Sequence, residues 1–86
     1  MENSHIFKEE KEVYKIIGQN IKYYRKLYCI TKKEMNQETL AELANVSTSL
    51  IGSLESKKTI QGLSIYSLYK ISKILMVPIE NFFIDR

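Results

Sequence analysis

Apolar residues recur along most of the chain with the three- and four-residue spacing of amphipathic helices. The first stripe consists of Val13, Ile17, Ile21, Tyr24 and Tyr28. The opposite face carries three lysines and one glutamine, namely Lys15, Gln19, Lys22 and Lys26. This spacing predicts a first helix from about Val13 to Tyr28. The residues before it are polar and charged, so we interpret residues 1–12 as an arm that is either flexible or an extension of this helix.

Asparagine and serine residues mark the ends of the later helical patterns. Asn36, Ser47 and Ser64 each stand before such a pattern, where a side-chain oxygen can accept a hydrogen bond from the first turn. Asn45 follows the second pattern and tolerates the left-handed backbone that often ends a helix. With a last short helix at residues 79–83, the pattern predicts five short helices with short links.

The composition favours an all-α fold. The chain has 86 residues, which suffice for one domain. Its three glycines and one proline provide few of the tight turns that a sheet needs. We expect an all-α, compact bundle of five short helices, with residues 13–86 as its single domain. The predicted core includes Leu40, Ala41, Ala44, Val46, Ile51 and Leu54.

Cysteine and histidine usage argues against a disulfide or a metal site. One of each occurs, Cys29 and His5, which is too few for a zinc site of the usual kind. We therefore expect no metal and no cofactor. No apolar run is long enough to span a membrane, and the N-terminus lacks the features of a signal peptide. The expectation is a cytoplasmic protein without a membrane partner.

The net charge is +3 and the isoelectric point is about 9.0, which permits a nucleic-acid partner without requiring one. No Ser-His-Asp set, Gly-rich phosphate loop or metal cluster is present in the sequence. Because these are the recognisable parts of common active sites, we predict that the protein is not an enzyme.

The most informative stretch reads Gln37-Glu38-Thr39-Leu40-Ala41-Glu42-Leu43-Ala44-Asn45-Val46-Ser47, followed by Ile51-x-x-Leu54-Glu55. It resembles the helix-turn-helix of the Cro/C1-type family of phage repressors and bacterial regulators. Weaker matches extend from Ile17-Gly18 to Phe82-Phe83, about four-fifths of the chain. The resemblance implies a lambda-repressor-like domain at residues 13–86, with the helix-turn-helix formed by the second and third helices.

The resemblance also implies roles for individual residues. The third helix would be the recognition helix, with its N-terminal residues toward the bases, and the start of the second helix would lie on a phosphate. The implied DNA-binding residues are Asn36, Gln37, Thr48, Ser49, Ser53, Lys57 and Lys58. Arg25 and Glu55 match a structural ion pair that links the first helix to the end of the third.

This chain departs from the family pattern in three places. The connector between Arg25 and Gln37 is about five residues longer than usual, and its lysines at 32 and 33 either contact the DNA backbone or are only solvated. Lys57 and Met76 stand where the family commonly has glycine. The outer face of the third helix has no Arg, Gln or Asn, so base readout should be soft and DNA shape should matter more.

The expected function is therefore a sequence-specific duplex-DNA-binding transcriptional regulator, acting as a repressor and as a homodimer. The dimerisation candidates are Ile79, Phe82, Phe83 and Ile84, with the N-terminal arm as a second possibility. The alternative is a protein-interaction module, such as an antitoxin or a repressor antagonist, that binds DNA without sequence preference.

Overall fold

The computed structural model describes residues 6–58 and 62–86, which form four α-helices and one 3-10 helix without a strand. The elements are α1 (Glu10–Thr31), α2 (Gln37–Ala44), α3 (Thr48–Glu55), α4 (Ile65–Leu75) and a C-terminal 3-10 helix (Ile79–Phe83). For these residues the all-α prediction is confirmed. The first helix is long rather than short, and the last element is a 3-10 turn rather than an α-helix.

α1 extends beyond its predicted limits at both ends. It begins at Glu10, so the last residues of the predicted arm belong to the helix, while residues 1–5 lie outside the described part. The acidic side chains of Glu10 and Glu12 in its first turn stabilise the helix by interacting with the positive end of the helix dipole. At the other end α1 runs to Thr31, because no glycine, proline or capping residue stops it at the predicted end.

The predicted helix caps are confirmed. The side chains of Asn36, Ser47 and Ser64 each accept a hydrogen bond from the backbone N–H three residues later, at 2.7, 3.0 and 3.0 Å. Asn45 adopts the left-handed conformation, with φ 57° and ψ 47°. These local bonds fix where α2, α3 and α4 begin and where α2 ends.

One apolar cluster joins the four helices and the 3-10 helix. The predicted core residues are buried in it, except that Val46 is only partly buried. Met35, which the sequence pattern assigns to a polar connector, is also buried, with 1% of its surface exposed. Its backbone N–H and carbonyl both bond to the thiol of Cys29, at 3.1 and 3.2 Å. The connector therefore folds back onto the core, and the Cys29 thiol holds it there through these two bonds.

The prediction that Phe82 contributes to a dimer interface is wrong. Phe82 is fully buried, and its ring packs edge-on against Tyr24 with the ring centroids 5.5 Å apart. The buried amide of Asn20 holds it there by donating to the carbonyls of Phe82 and Ile84, at 3.0 and 2.9 Å. Phe82 therefore belongs to the core of a single chain.

The other three dimerisation candidates keep different amounts of exposed surface. Ile79 is half-buried against the core, whereas Phe83 and Ile84 are each 50% exposed. Only the last two offer substantial apolar surface to a partner.

The two positions where this chain lacks the usual glycine both have a left-handed backbone. Lys57 has a φ of 64° and Met76 a φ of 61°. A left-handed conformation costs a non-glycine residue about 1–2 kcal/mol, while glycine enters it without a steric penalty. Both turns are therefore strained by the side chain that they carry.

We expect Met76→Gly to raise the free energy of unfolding by about 1 kcal/mol, because the exposed Met76 side chain loses little packing. The melting temperature should rise by about 4–8 °C. Lys73→Gly is the matched control: Lys73 lies inside α4, the helix that Met76 follows, at an ordinary helical φ, and its replacement should lower stability by up to about 1 kcal/mol. A lower melting temperature for Met76→Gly would contradict this account.

Candidate nucleic-acid interface

A buried ion pair between α1 and α3 lies beneath the candidate interface. Arg25 Nε donates to Glu55 Oε2 at 2.7 Å, and Arg25 Nη2 donates to Glu55 Oε1 at 2.8 Å. The two side chains are only 10% and 2% exposed. A third bond runs from Arg25 Nη1 to the carbonyl of Met35 at 3.1 Å. The predicted ion pair is thus confirmed, and it also fixes the connector that leads to α2.

The electrostatics of this pair favour the charged arginine. The hydrogen bonds that Arg25 donates to the Glu55 side chain raise the pKa of Arg25 above its ordinary value, and the charge of the carboxylate acts in the same direction. Burial acts in the opposite direction and is outweighed. Arg25 therefore remains a cation at every pH where the protein would be studied.

Gln37, the first residue of α2, extends this network. Its amide nitrogen Nε2 donates to Glu55 Oε1 at 3.0 Å. Its amide oxygen faces Gly52 of α3, where an added Cβ atom would lie 3.4 Å away. The family resemblance implies a phosphate contact for Gln37, which stays a prediction. The bond to Glu55 is an additional structural role, and no local pattern indicates it because the partners are 18 residues apart.

A polar cleft opens over this network where α1, α2 and α3 meet, with a volume of about 280 Å³. We call it the basic cleft; it is lined by Lys22, Arg25, Lys26, Gln37, Gly52, Glu55 and Ser56. Sequence reasoning assigned Lys22 and Lys26 only to the polar face of the first helix. Periodicity within one helix could not reveal that two other helices meet over them.

Small hydroxyl side chains cover the outer face of α3. Thr48 and Ser49 are exposed in its first turn, and Ser53 is half-buried one turn further along. The helix is eight residues long, so its two ends are about 12 Å apart. The basic cleft borders the second half of α3, from Gly52 onward, so it begins about one helical turn after the hydroxyl pair.

Two lysines continue directly from the end of α3. The backbone N–H of Lys57 bonds to the carbonyl of Leu54 and that of Lys58 to the carbonyl of Ser53, both at 3.1 Å. With the left-handed Lys57, these bonds form the turn that ends α3. Both lysines are exposed, as is Asn36 at the start of α2, whose side-chain oxygen is engaged in its cap.

Residues 6–58 and 62–86 provide less support for a metal site, a membrane-spanning helix or a second polar site. No group of three or more His, Cys, Asp or Glu residues there could hold a metal ion. No helix in the same part of the chain has the length and apolar character to cross a bilayer. A second groove, of about 290 Å³ between α1 and α4, is mostly apolar, with Val13, Tyr14 and Leu68 among its lining residues.

Comparison of the chain with protein-family models, with curated proteins and with solved structures finds no match. The functional interpretation therefore depends on the residues and the geometry of this chain alone.

Proposed function

We propose that this protein is a cytoplasmic, duplex-DNA-binding transcriptional regulator of the Cro/C1 type that acts as a repressor. In this proposal the fold is lambda-repressor-like, and α2 and α3 form a helix-turn-helix with α3 in the major groove. The observation that carries the proposal is this two-helix unit, in which the second helix presents an exposed hydroxyl face.

The turn between the two helices supports the proposal. α2 and α3 each have eight residues and are joined by three, Asn45 to Ser47. The left-handed Asn45 reverses the chain, and the N–H of Val46 bonds back to the carbonyl of Ala41 at 2.9 Å. Val46 packs against the core, which holds the turn closed. Two packed helices joined by a short turn are the framework of a helix-turn-helix.

The start of α3 would make the base contacts. Its Thr48 and Ser49 hydroxyls can donate to or accept from any base edge, and the threonine methyl can contact the methyl of thymine. Such contacts discriminate weakly between bases. Most of the affinity would then come from lysines that contact phosphates, and it would fall steeply as the salt concentration rises.

A dimer would place two recognition helices on neighbouring half-sites, about one helical turn of DNA apart. Phe83 and Ile84 are our dimerisation candidates, since Phe82 is buried and Ile79 is partly covered. The partners in this proposal are double-stranded DNA and a second copy of the chain.

A protein-interaction module remains a second candidate because of α4. Its outer face exposes Ile65, Tyr66 and Tyr69, with Ile65 83% exposed. The two tyrosine rings stack with centroids 6.2 Å apart. Clustered exposed apolar side chains often mark protein-binding surfaces. In this reading DNA binding would be sequence-blind.

Selection of binding sites from a random duplex pool separates the two candidates. The regulator should enrich a palindrome with half-site centres about 10 base pairs apart. Thr48→Ala or Ser49→Ala should then alter base preference by about 1–3 kcal/mol at most, without changing the melting temperature, because both side chains are exposed.

Thr31→Ala is the matched control, since it removes an exposed threonine hydroxyl from the end of α1 and should leave base preference unchanged. If no sequence is enriched and binding only follows salt, the regulator proposal fails and the protein-interaction module is favoured.

A further inference from the structure

We infer that the basic cleft binds a phosphate group of the nucleic-acid backbone, with Lys22 and Lys26 as its charged ligands. The inference rests on the proposed function, because it assigns the partner's phosphates to side chains outside the helix-turn-helix. Neither lysine belongs to the set of DNA-binding residues that the sequence resemblance implies.

The negative charge on the floor of the cleft, that of Glu55, is already compensated within the protein. Glu55 is almost fully buried and accepts three hydrogen bonds, two from Arg25 and one from Gln37. Its charge is therefore matched by the guanidinium beneath it. The carboxylate has little remaining capacity to attract a further cation from the wall of the cleft.

The wall of the cleft carries charge without a matching partner. Lys22 and Lys26 are four residues apart on α1, so they lie on one face, about one helical turn apart. Both are exposed, and neither forms an ion pair with a carboxylate of the described residues. Two positive charges in the cleft are thus uncompensated, and like charges at this spacing repel each other. An anion between them would relieve that repulsion.

The dimensions suit a phosphate group. The cleft volume of about 280 Å³ is roughly nine times the volume that one water molecule occupies in liquid water. A phosphodiester therefore fits in the cleft with some of its hydration. Gly52 leaves one wall without a side chain. Lysine ammonium groups are common phosphate ligands and act as point charges that tolerate varied geometry.

A polyanion is favoured over a single small anion because positive charge continues along the chain from the cleft. Ser56 lies on its rim, and the exposed Lys57 and Lys58 follow directly. Regularly spaced phosphates could occupy both the cleft and the end of α3. A nucleic-acid backbone provides such a row of charges.

The test compares Lys22→Gln/Lys26→Gln with the control Lys11→Gln/Lys15→Gln. The control pair has the same spacing on α1 and the same loss of charge, and both its lysines are exposed outside the cleft. Affinity for a 20-base-pair duplex is measured from about 50 to 200 mM salt. The cleft variant should lose affinity about tenfold for every sequence alike, with the salt slope reduced by about two units. The control should change the slope by less than half as much.

Titration with inorganic phosphate at constant ionic strength, followed by NMR, distinguishes a free anion from a nucleic-acid backbone. Shifts at the amides of Gln37, Gly52 and Ser56 that vanish in the cleft variant would support phosphate binding in the cleft.

The inference would be overturned if both lysine pairs weakened duplex binding equally, and the proposed function would then still stand. Polyglutamate serves as a probe for an acidic protein partner. The inference would also be overturned if the cleft variant kept full duplex affinity and instead lost binding to polyglutamate. If the wild type bound no duplex, the proposed function would fail, and an absence of phosphate shifts would then reject the cleft as well.

Discussion

Gly18→Ala is expected to lower the free energy of unfolding by about 3 kcal/mol or more and the melting temperature by at least about 12 °C. A Cβ atom at this position in α1 would lie 2.5 Å from the carbonyl carbon of Leu54 in α3, and closer still to its oxygen. Real Cβ atoms do not approach other atoms so closely, so the two helices would have to separate.

The sign of this effect is informative because intrinsic helix propensity predicts the opposite. Alanine is favoured over glycine inside a helix by about 1 kcal/mol. The atoms in the way belong to backbone, which cannot rotate aside as a flexible side chain would. The whole of α3 would move, and its exposed Thr48 and Ser49 with it. Duplex affinity should therefore fall together with stability.

Gly52→Ala is the matched control, measured by the same urea and thermal unfolding. This glycine also lies within a helix, but the nearest atom to its added Cβ is the Gln37 amide oxygen at 3.4 Å, an ordinary contact. The control should be about 0.5–1 kcal/mol more stable than the wild type. A Gly18→Ala variant as stable as the control would show that α1 and α3 do not approach so closely in solution.

The sequence predicted features that depend on neighbouring residues. The caps at Asn36, Ser47 and Ser64 follow from bonds that span three residues, so their chemistry is visible in the sequence. The core of α2 and α3 was predictable because apolar residues repeat there at helical spacing.

Features that depend on distant parts of the chain were not predictable from the spacing of residues alone. Asn20 looks like an ordinary polar helix residue, yet its amide bonds to the carbonyls of Phe82 and Ile84, more than 60 residues away. This docking buries Phe82, which the pattern left available to a partner. Met35 has no periodic apolar neighbours, so only the path of the connector reveals that it is buried.

The candidate site likewise contains one feature that was predicted from the sequence and others that were not. The Arg25–Glu55 pair was expected from the family resemblance, and the structure contains it. The bond from Gln37 to Glu55 and the cleft at Lys22 and Lys26 depend on how three helices meet, which no spacing rule specifies. Their identification required the packed structure.

Arg25→Met is expected to lower the free energy of unfolding by about 3–5 kcal/mol. The substitution keeps much of the apolar length of the side chain but removes the cation from Glu55. That carboxylate is 2% exposed and would keep only the bond from Gln37. An uncompensated buried charge is costly because the surrounding protein solvates it far less well than water does.

The double variant Arg25→Met/Glu55→Met is the control. Replacing both members of a buried ion pair by apolar residues of similar size is often neutral. The carbonyl of Met35 would lose its bond from Arg25 but keep the one from the Cys29 thiol at 3.2 Å. The double variant should therefore recover most of the stability that the single variant loses.

Wild-type stability should carry no dependence on pH from Arg25 across the neutral range. Its pKa is raised in the folded state, chiefly by its side-chain hydrogen bonding to Glu55. A group with a raised folded pKa contributes its full stabilisation below its unfolded pKa, and loses it only as the pH rises through the folded pKa. For arginine that interval lies in strong alkali, so urea unfolding at pH 6 and pH 9 should give the same difference between the wild type and the double variant, which lacks both charges. Equal losses in the single and double variants would mean that the cost arises from lost packing rather than from an unpaired buried charge.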